Sequence, residues 1–122
     1  MKGDTCKISR WQILKSQLDN LTPQEFHSLV LQTDNAIVID VRTNTEYLQG
    51  HLFEAINIDY LAYDFWDRIE NLDPEKTYFV YCRSGRRSVR TCTLMNNGGF
   101  QKVYNLDGGL NVWNEAFGLT SV

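Results

Sequence analysis

Thr77-Tyr78-Phe79-Val80-Tyr81-Cys82-Arg83-Ser84-Gly85-Arg86-Arg87-Ser88 is the stretch that decides how this chain is read. Thr77 to Tyr81 is a short apolar run of aromatic and β-branched residues, which predicts a strand covered on both faces. Cys82 stands at its carboxyl end. Beyond Ser88, Val89, Cys92 and Met95 recur at i, i+3, i+6, and Gly98-Gly99 follows, which predicts a helix over Ser88 to Asn97. Strand, tight loop and helix in succession aim several backbone N–H groups at one centre. Gly85 allows the positive φ that such a curl needs.

The same punctuation repeats on both sides of this unit. Ala36-Ile37-Val38-Ile39-Asp40-Val41, Ala55-Ile56-Asn57-Ile58 and Val103-Tyr104-Asn105-Leu106 predict three further strands. Thr22-Pro23-Gln24-Glu25 opens a helix to about Gln32, with Thr22 as N-cap, Pro23 at the first helical position and Glu25 closing a capping box. Thr43-Asn44-Thr45-Glu46 opens a second capping box, and Gly50 closes that helix. Tyr60 to Glu70 predicts a helix stopped before Pro74, and a Gly108-Gly109 turn leads to a last helix around Trp113. Trp11, Leu14 and Leu18, at i, i+3, i+7, suit a short amphipathic helix. Residues 1–20 are therefore taken as an amino-terminal extension and 21–122 as the domain. Strands alternating with helices mean an α/β fold with a mostly parallel central sheet. Ligands in such sheets sit beyond the carboxyl ends of the strands. Asp40 and Cys82 both end a strand, so they should share a rim.

Composition narrows the possibilities. A chain of 122 residues and 14.2 kDa is one domain. At this size roughly 65% of the unfolded surface can be buried, so no metal or disulfide staple is needed. No apolar run approaches the ~18–20 residues of a membrane span. The first twenty residues lack the pattern of a secretory leader, which makes a cytoplasmic location the expectation. Twelve Lys and Arg against fifteen Asp and Glu give a net charge of −3, which argues against nucleic-acid binding. Yet Lys76 to Leu106 holds six basic residues and no acidic one, net +6, leaving −9 elsewhere. One concentrated basic segment on an acidic chain can attract a small anion. The three cysteines, Cys6, Cys82 and Cys92, are odd in number and none is spaced Cys-x-x-Cys. Free thiols in a reducing compartment are expected, with no metal site and no cofactor. A monomer is expected.

A thiol at the centre of the Cys82 loop feels a helix's positive end, inward amides and four neighbouring arginines (Arg83, Arg86, Arg87, Arg90). All three favour the thiolate, which is the nucleophilic form. A ring of amides and guanidinium groups stabilises a bound anion. Two chemistries fit: phosphoryl transfer from a phosphoester and sulfur transfer from a sulfane donor. Loop length separates them. Cysteine phosphatases use Cys-x5-Arg, whereas this loop closes at Cys-x4-Arg on Arg87, with Ser88 in the next place. The tighter curl suits a persulfide rather than a tetrahedral phosphate.

These segments together resemble a single-domain rhodanese of the thiosulfate sulfurtransferase family. Ile39-Asp40-Val41-Arg42 with Glu46-Tyr47, then Gly50-His51-Leu52 through Ile58, resembles the first signature of that family. Val80 to Ser88 resembles its active loop, and Gly108-Gly109-Leu110 with Trp113 its closing segment. The resemblance runs from about Leu21 to Gly118. Leu52-Phe53-Glu54 departs from it, because the family usually has Ile, then a small residue or Pro, then Gly. The resemblance implies about five strands with helices on both faces, and a cycle in which Cys82 takes a sulfur from a small anionic donor such as thiosulfate. The sulfur then passes to cyanide in an assay, or to a small or protein thiol in the cell. It implies that amides from Arg83 through Ser84, Gly85 and Arg86 to Arg87 hold the persulfide, with the arginine side chains drawing in the donor but not all pointing inward. Asp40 and Arg42 match its Asp-x-Arg and are read as groups bracing the rim. Two competing classes are a non-catalytic rhodanese-homology binding module and, on the same scaffold, a cysteine phosphatase or arsenate reductase. The intact cysteine loop speaks against the first and the loop length against the second. Glu46 is read as a capping residue, Cys92 as core, and His51 and His27 as structural. Tyr63, Phe65 and Trp66 are read as core or pocket wall.

Overall fold

In a computed structural model that describes residues 9–118, five strands and six helices alternate along the chain. In chain order they are α1 (Arg10–Ser16), β1 (Asp19–Leu21), α2 (Pro23–Gln32), β2 (Ile37–Asp40), α3 (Asn44–Gln49), β3 (Ile56–Asn57), α4 (Phe65–Glu70), β4 (Thr77–Tyr81), α5 (Arg86–Asn97), β5 (Lys102–Leu106) and α6 (Gly109–Phe117). The strands form one sheet of order β1-β5-β4-β2-β3, and every pairing is parallel. The α/β architecture expected from the alternation is therefore the architecture found.

The pleat of β4 explains where the two cores lie. Successive strand residues face opposite sides. Tyr78, Val80 and, just beyond the strand, Cys82 join a cluster with Phe65 and Ile69 of α4 and Cys92 and Met95 of α5. Phe79 and Tyr81 face a second cluster with Phe26 of α2 and Leu110 of α6. Helices thus cover both faces, and β4 in the middle of the sheet is buried from Tyr78 onward. The alternation also aims Cys82 toward the side where α5 begins.

The capping boxes at Thr22 and Thr43 form as the residues predict, each closed by a glutamate three places on. Three elements differ from expectation. The helix proposed for Tyr60 to Glu70 is confined to Phe65–Glu70, because Ala62 and Phe65 donate into tight turns that take up the preceding residues. Of the three aromatics there, Phe65 is core, Tyr63 is fully exposed and Trp66 is partly exposed. Helix α5 starts two residues earlier than its apolar spacing implies, with Gly85 as its N-cap. Strand β1 has no counterpart in the sequence reading: Asp-Asn-Leu carries no β-branched residue, and it is held by parallel pairing to β5 and by Asn105 Nδ2 donating to Asn20 Oδ1 at 2.9 Å. The sheet therefore takes in Asp19 and Asn20, ahead of the expected boundary at residue 21. Cys6 lies outside the described residues.

Glu54, in the segment that departs from the family pattern, adopts φ 62°. That is the left-handed region, where a side chain costs ~1–2 kcal/mol and glycine costs none. The glycine usual at this place thus has a backbone reason. Glu54→Gly should stabilise the protein by ~1 kcal/mol, read as a higher urea midpoint at unchanged m-value; an unchanged or lower midpoint contradicts the strain.

Candidate active site

Cys82 is 2% exposed and lies at the carboxyl rim of the central strand. Its Sγ accepts hydrogen bonds from the amides of Gly85 at 3.0 Å and Ser88 at 3.4 Å. As a thiol it donates to Ser88 Oγ at 3.5 Å, and that hydroxyl in turn donates to Gly85 O at 3.1 Å. Ser88 is thus a second contact of the sulfur, one place beyond the residues Arg83 to Arg87 expected to hold it. The signal was present: in a helix whose N-cap is Gly85, residue 88 is the third position, whose amide has no partner within the helix. The amides of Arg86 and Arg87, in the same first turn, also lack an intrahelical partner.

What turns these amides inward is a tie from behind. Leu110 N donates to Cys82 O at 2.9 Å, and Asn111 N donates to Arg83 O at 3.0 Å. The start of α6, with its own unsatisfied donors, thereby holds the loop's first two carbonyls away from the sulfur. Gly109 makes the approach possible. It adopts φ 64°, and a Cβ there would collide with Cys82 O and sit 2.6 Å from Arg83 O, both backbone atoms that cannot swing aside. Gly85, at φ 109°, supplies the turn on the other side. The Gly108-Gly109 pair, which the sequence marks as a turn and as part of the closing segment of the family resemblance, is therefore part of the loop's support.

The arginine side chains spread outward. Arg83 and Arg86 are exposed, and Arg87 is half-buried. Arg87 Nη1 donates to Glu46 Oε1 at 3.1 Å, and Arg83 Nε lies 3.7 Å from Glu46 Oε2. Glu46 is both the capping-box residue of α3 and the carboxylate facing the loop, a second role that capping explained away. Burial opposes its charge, but the Thr43 amide, the Arg87 guanidinium and the Thr43 hydroxyl together hold its carboxyl below the usual range.

Asp40 and Arg42 share the rim but form a buried knot of their own. Arg42 donates to Asp40 Oδ2 from Nη2 at 2.7 Å and from Nε at 3.0 Å, and its amide donates to Oδ1 at 2.8 Å. Its Nη2 also donates to Gly50 O. Tyr81 Oη donates to Asp40 Oδ2 at 2.7 Å and accepts from Leu52 N at 3.0 Å. Burial works against the Arg42 charge, yet the Asp40 carboxylate overrides it and lifts the guanidinium above its ordinary value. Burial, reinforced by the Asp40 charge, pushes the Tyr81 phenol far up and keeps it a neutral donor. Among the described residues, none of these hydrogen bonds reaches the Cys82 loop.

The remaining candidates make other contacts. Cys92 is wholly buried, and burial, with Cys82 adding to it, pushes its thiol far up. His51 stacks on Tyr47 with ring centroids 3.7 Å apart, and His27 lies against Trp113 and Phe117. A cavity of about 600 Å³ near Phe26, Ile37, Phe53 and Trp113 holds no thiol. Among the described residues, no helix is long and apolar enough to cross a membrane.

A sheet of this order with a cysteine cradled between its central strand and the next helix defines a rhodanese-type site. Comparison with known proteins agrees: the rhodanese-like domain model matches residues 22–116, and the chain belongs to that family. It is 28% identical over 102 residues to a thiosulfate sulfurtransferase GlpE of Pseudomonas entomophila, covering 84% of this chain and 90% of that protein. It is 35% identical over 111 residues to a tRNA uridine(34) hydroxylase of Chlamydia abortus, covering 86% of this chain but only 34% of the relative. The chain thus spans about a third of the hydroxylases it matches. A rhodanese-related protein from Thermoplasma volcanium superposes with a TM-score of 0.70 at 22% identity, over 81% of this chain and 93% of that one.

Two outcomes check the site. Gly109→Ala should cost more than ~1 kcal/mol of stability and weaken the loop's grip on Cys82, read as a lowered melting midpoint together with altered alkylation of Cys82 by iodoacetamide. Because the folded Glu46 carboxyl sits below its unfolded value, its contribution is complete above that value and fades as the pH falls below it. The stability difference between wild type and Glu46→Gln should therefore be constant from neutrality to about pH 5 and shrink below about pH 4.5. A difference that grows on acidification contradicts this.

Proposed function

We propose that this protein is a sulfurtransferase that carries a sulfane sulfur on Cys82. The observation that carries the reading is the paired amide contact of Gly85 and Ser88 to Cys82 Sγ. The Cys82 thiolate attacks the outer sulfur of thiosulfate. A Sγ–S bond forms, the donor's S–S bond breaks, and the bonding pair leaves on sulfite. The persulfide anion then gives its outer sulfur to a nucleophile: cyanide leaves as thiocyanate, or a thiol becomes a persulfide, and in each case the electron pair returns to Cys82 Sγ.

The first-turn amides of Arg86 and Arg87, which have no helical partner, are suited to receive the outer sulfur's charge. The exposed guanidinium of Arg83 suits the approach of an anionic donor. Asp40 and Arg42 serve as positioning groups. They fix Gly50 and, through Tyr81, Leu52, so that α3 can present Glu46 to Arg87. A nucleophilic cysteine with no disulfide partner among the described residues suits a reducing, cytoplasmic setting. The tRNA named by the larger relatives is not the substrate favoured here, since a chain of net −3 repels a polyanion.

Incubation with thiosulfate should add the mass of one sulfur atom to the intact protein, and cyanide should remove it. Cys82→Ser should take up none, whereas Cys92→Ser should load normally. Absence of the adduct, or phosphatase activity in its place, overturns the assignment.

A further inference from the structure

Beside the loop, helix α1 lies against α5 and leaves a cavity of about 460 Å³. Four arginines line it, Arg10 from α1 and Arg86, Arg87 and Arg90 from α5, with Trp11 and Leu14 supplying apolar surface. Among the described residues, Arg87 alone of the four is paired with a carboxylate. Arg86 is held with its guanidinium carbon 5.0 Å from the centroid of the Trp11 ring, and Lys15 lies 5.3 Å from the same ring. Trp11 Nε1 is buried and has no hydrogen-bond partner among the described residues. Arginines that have no carboxylate partner among the described residues and gather around one hollow repel one another unless an anion enters. A solvated basic face has no need of a hollow, or of an indole to hold one guanidinium still.

The hollow is far larger than a thiosulfate ion requires, and its indole and leucine match an organic body rather than a bare anion. Guanidinium groups in number favour phosphate, which they bind in bidentate fashion. A nucleic acid is disfavoured by the −9 carried outside the basic segment. Arg86 and Arg87 line the hollow and also form the first turn of α5 that follows Gly85, so the hollow adjoins the loop. We infer that this groove is a subsite for a phosphate-bearing small thiol, which accepts the sulfur from Cys82. The inference rests on the sulfur-transfer reading. The acceptor's thiolate attacks the outer sulfur, an S–S bond forms on the acceptor as the Sγ–S bond breaks, and Cys82 leaves as the thiolate.

The test loads wild type and the double variant Arg10→Gln/Arg90→Gln with thiosulfate, removes the donor and confirms the persulfide by mass. Discharge is then followed with coenzyme A, which carries phosphates, and with dithiothreitol, which is uncharged. Coenzyme A should discharge the double variant about tenfold more slowly than wild type, with dithiothreitol discharging both alike. Inorganic pyrophosphate should slow coenzyme A and leave dithiothreitol unaffected. Equal loss with both thiols, or no loss with either, overturns the subsite. So does glutathione showing the same arginine dependence, which would assign carboxylates to the groove, or a short oligonucleotide competing where pyrophosphate does not. If neither protein loads, sulfur transfer itself fails. Calorimetric titration with coenzyme A then decides the groove alone: binding weakened about tenfold in the double variant upholds it, and no difference refutes it.

Discussion

Two hydrogen bonds behind the loop, from Leu110 N to Cys82 O and from Asn111 N to Arg83 O, set the condition for everything at the site. A short loop after a strand has as many carbonyls as amides, and nothing in its composition decides which of them face its centre. Here the decision comes from α6, whose first-turn amides have no partner in their own helix and take the loop's carbonyls instead. With the carbonyls engaged outside, Gly85 and Ser88 present N–H groups to the sulfur. The arrangement joins residues 82 and 83 to residues 110 and 111 through glycines, because only a residue without Cβ lets the two backbones meet.

Charge is organised around the same centre in layers. Nearest the sulfur are main-chain dipoles, which are fixed and need no counterion. Outside them are guanidinium groups whose strength is moderated by Glu46, the carboxylate in reach of Arg87 and Arg83. The Asp40–Arg42–Tyr81 knot on the neighbouring strand end is shut off from solvent and spends its polar atoms on its own backbone. Two polar strand ends at one rim thus have different surroundings, a closed knot of side chains at Asp40 and a curl of main-chain amides at Cys82.

Much of this was legible in the residues. Strands β2 and β4 are β-branched or aromatic runs, and the capping boxes at Thr22 and Thr43 have unambiguous local chemistry. Cys82 followed by Gly85 after an apolar run marks the curl in which amides meet the sulfur. What escaped was what only tertiary structure decides. Strand β1 is three residues without strand propensity, given its conformation by β5 beside it. Ser88 reads as a small helix residue until the start of α5 is known to lie at Gly85. Glu46 has a complete local explanation as a cap, which conceals its contact across 41 positions with Arg87. The four-arginine hollow needs α1, which lies ahead of the family's shared region and declares itself from sequence only as an amphipathic helix.

The sheet's outer strands are also its shortest, with three residues in β1 and two in β3. An exposed strand edge recruits other chains through its row of free main-chain groups, and rows this brief give an incoming strand almost nothing to zip onto. An incoming strand therefore finds little main chain to pair with at either margin, and crowded copies have little means of stacking into fibrils through them.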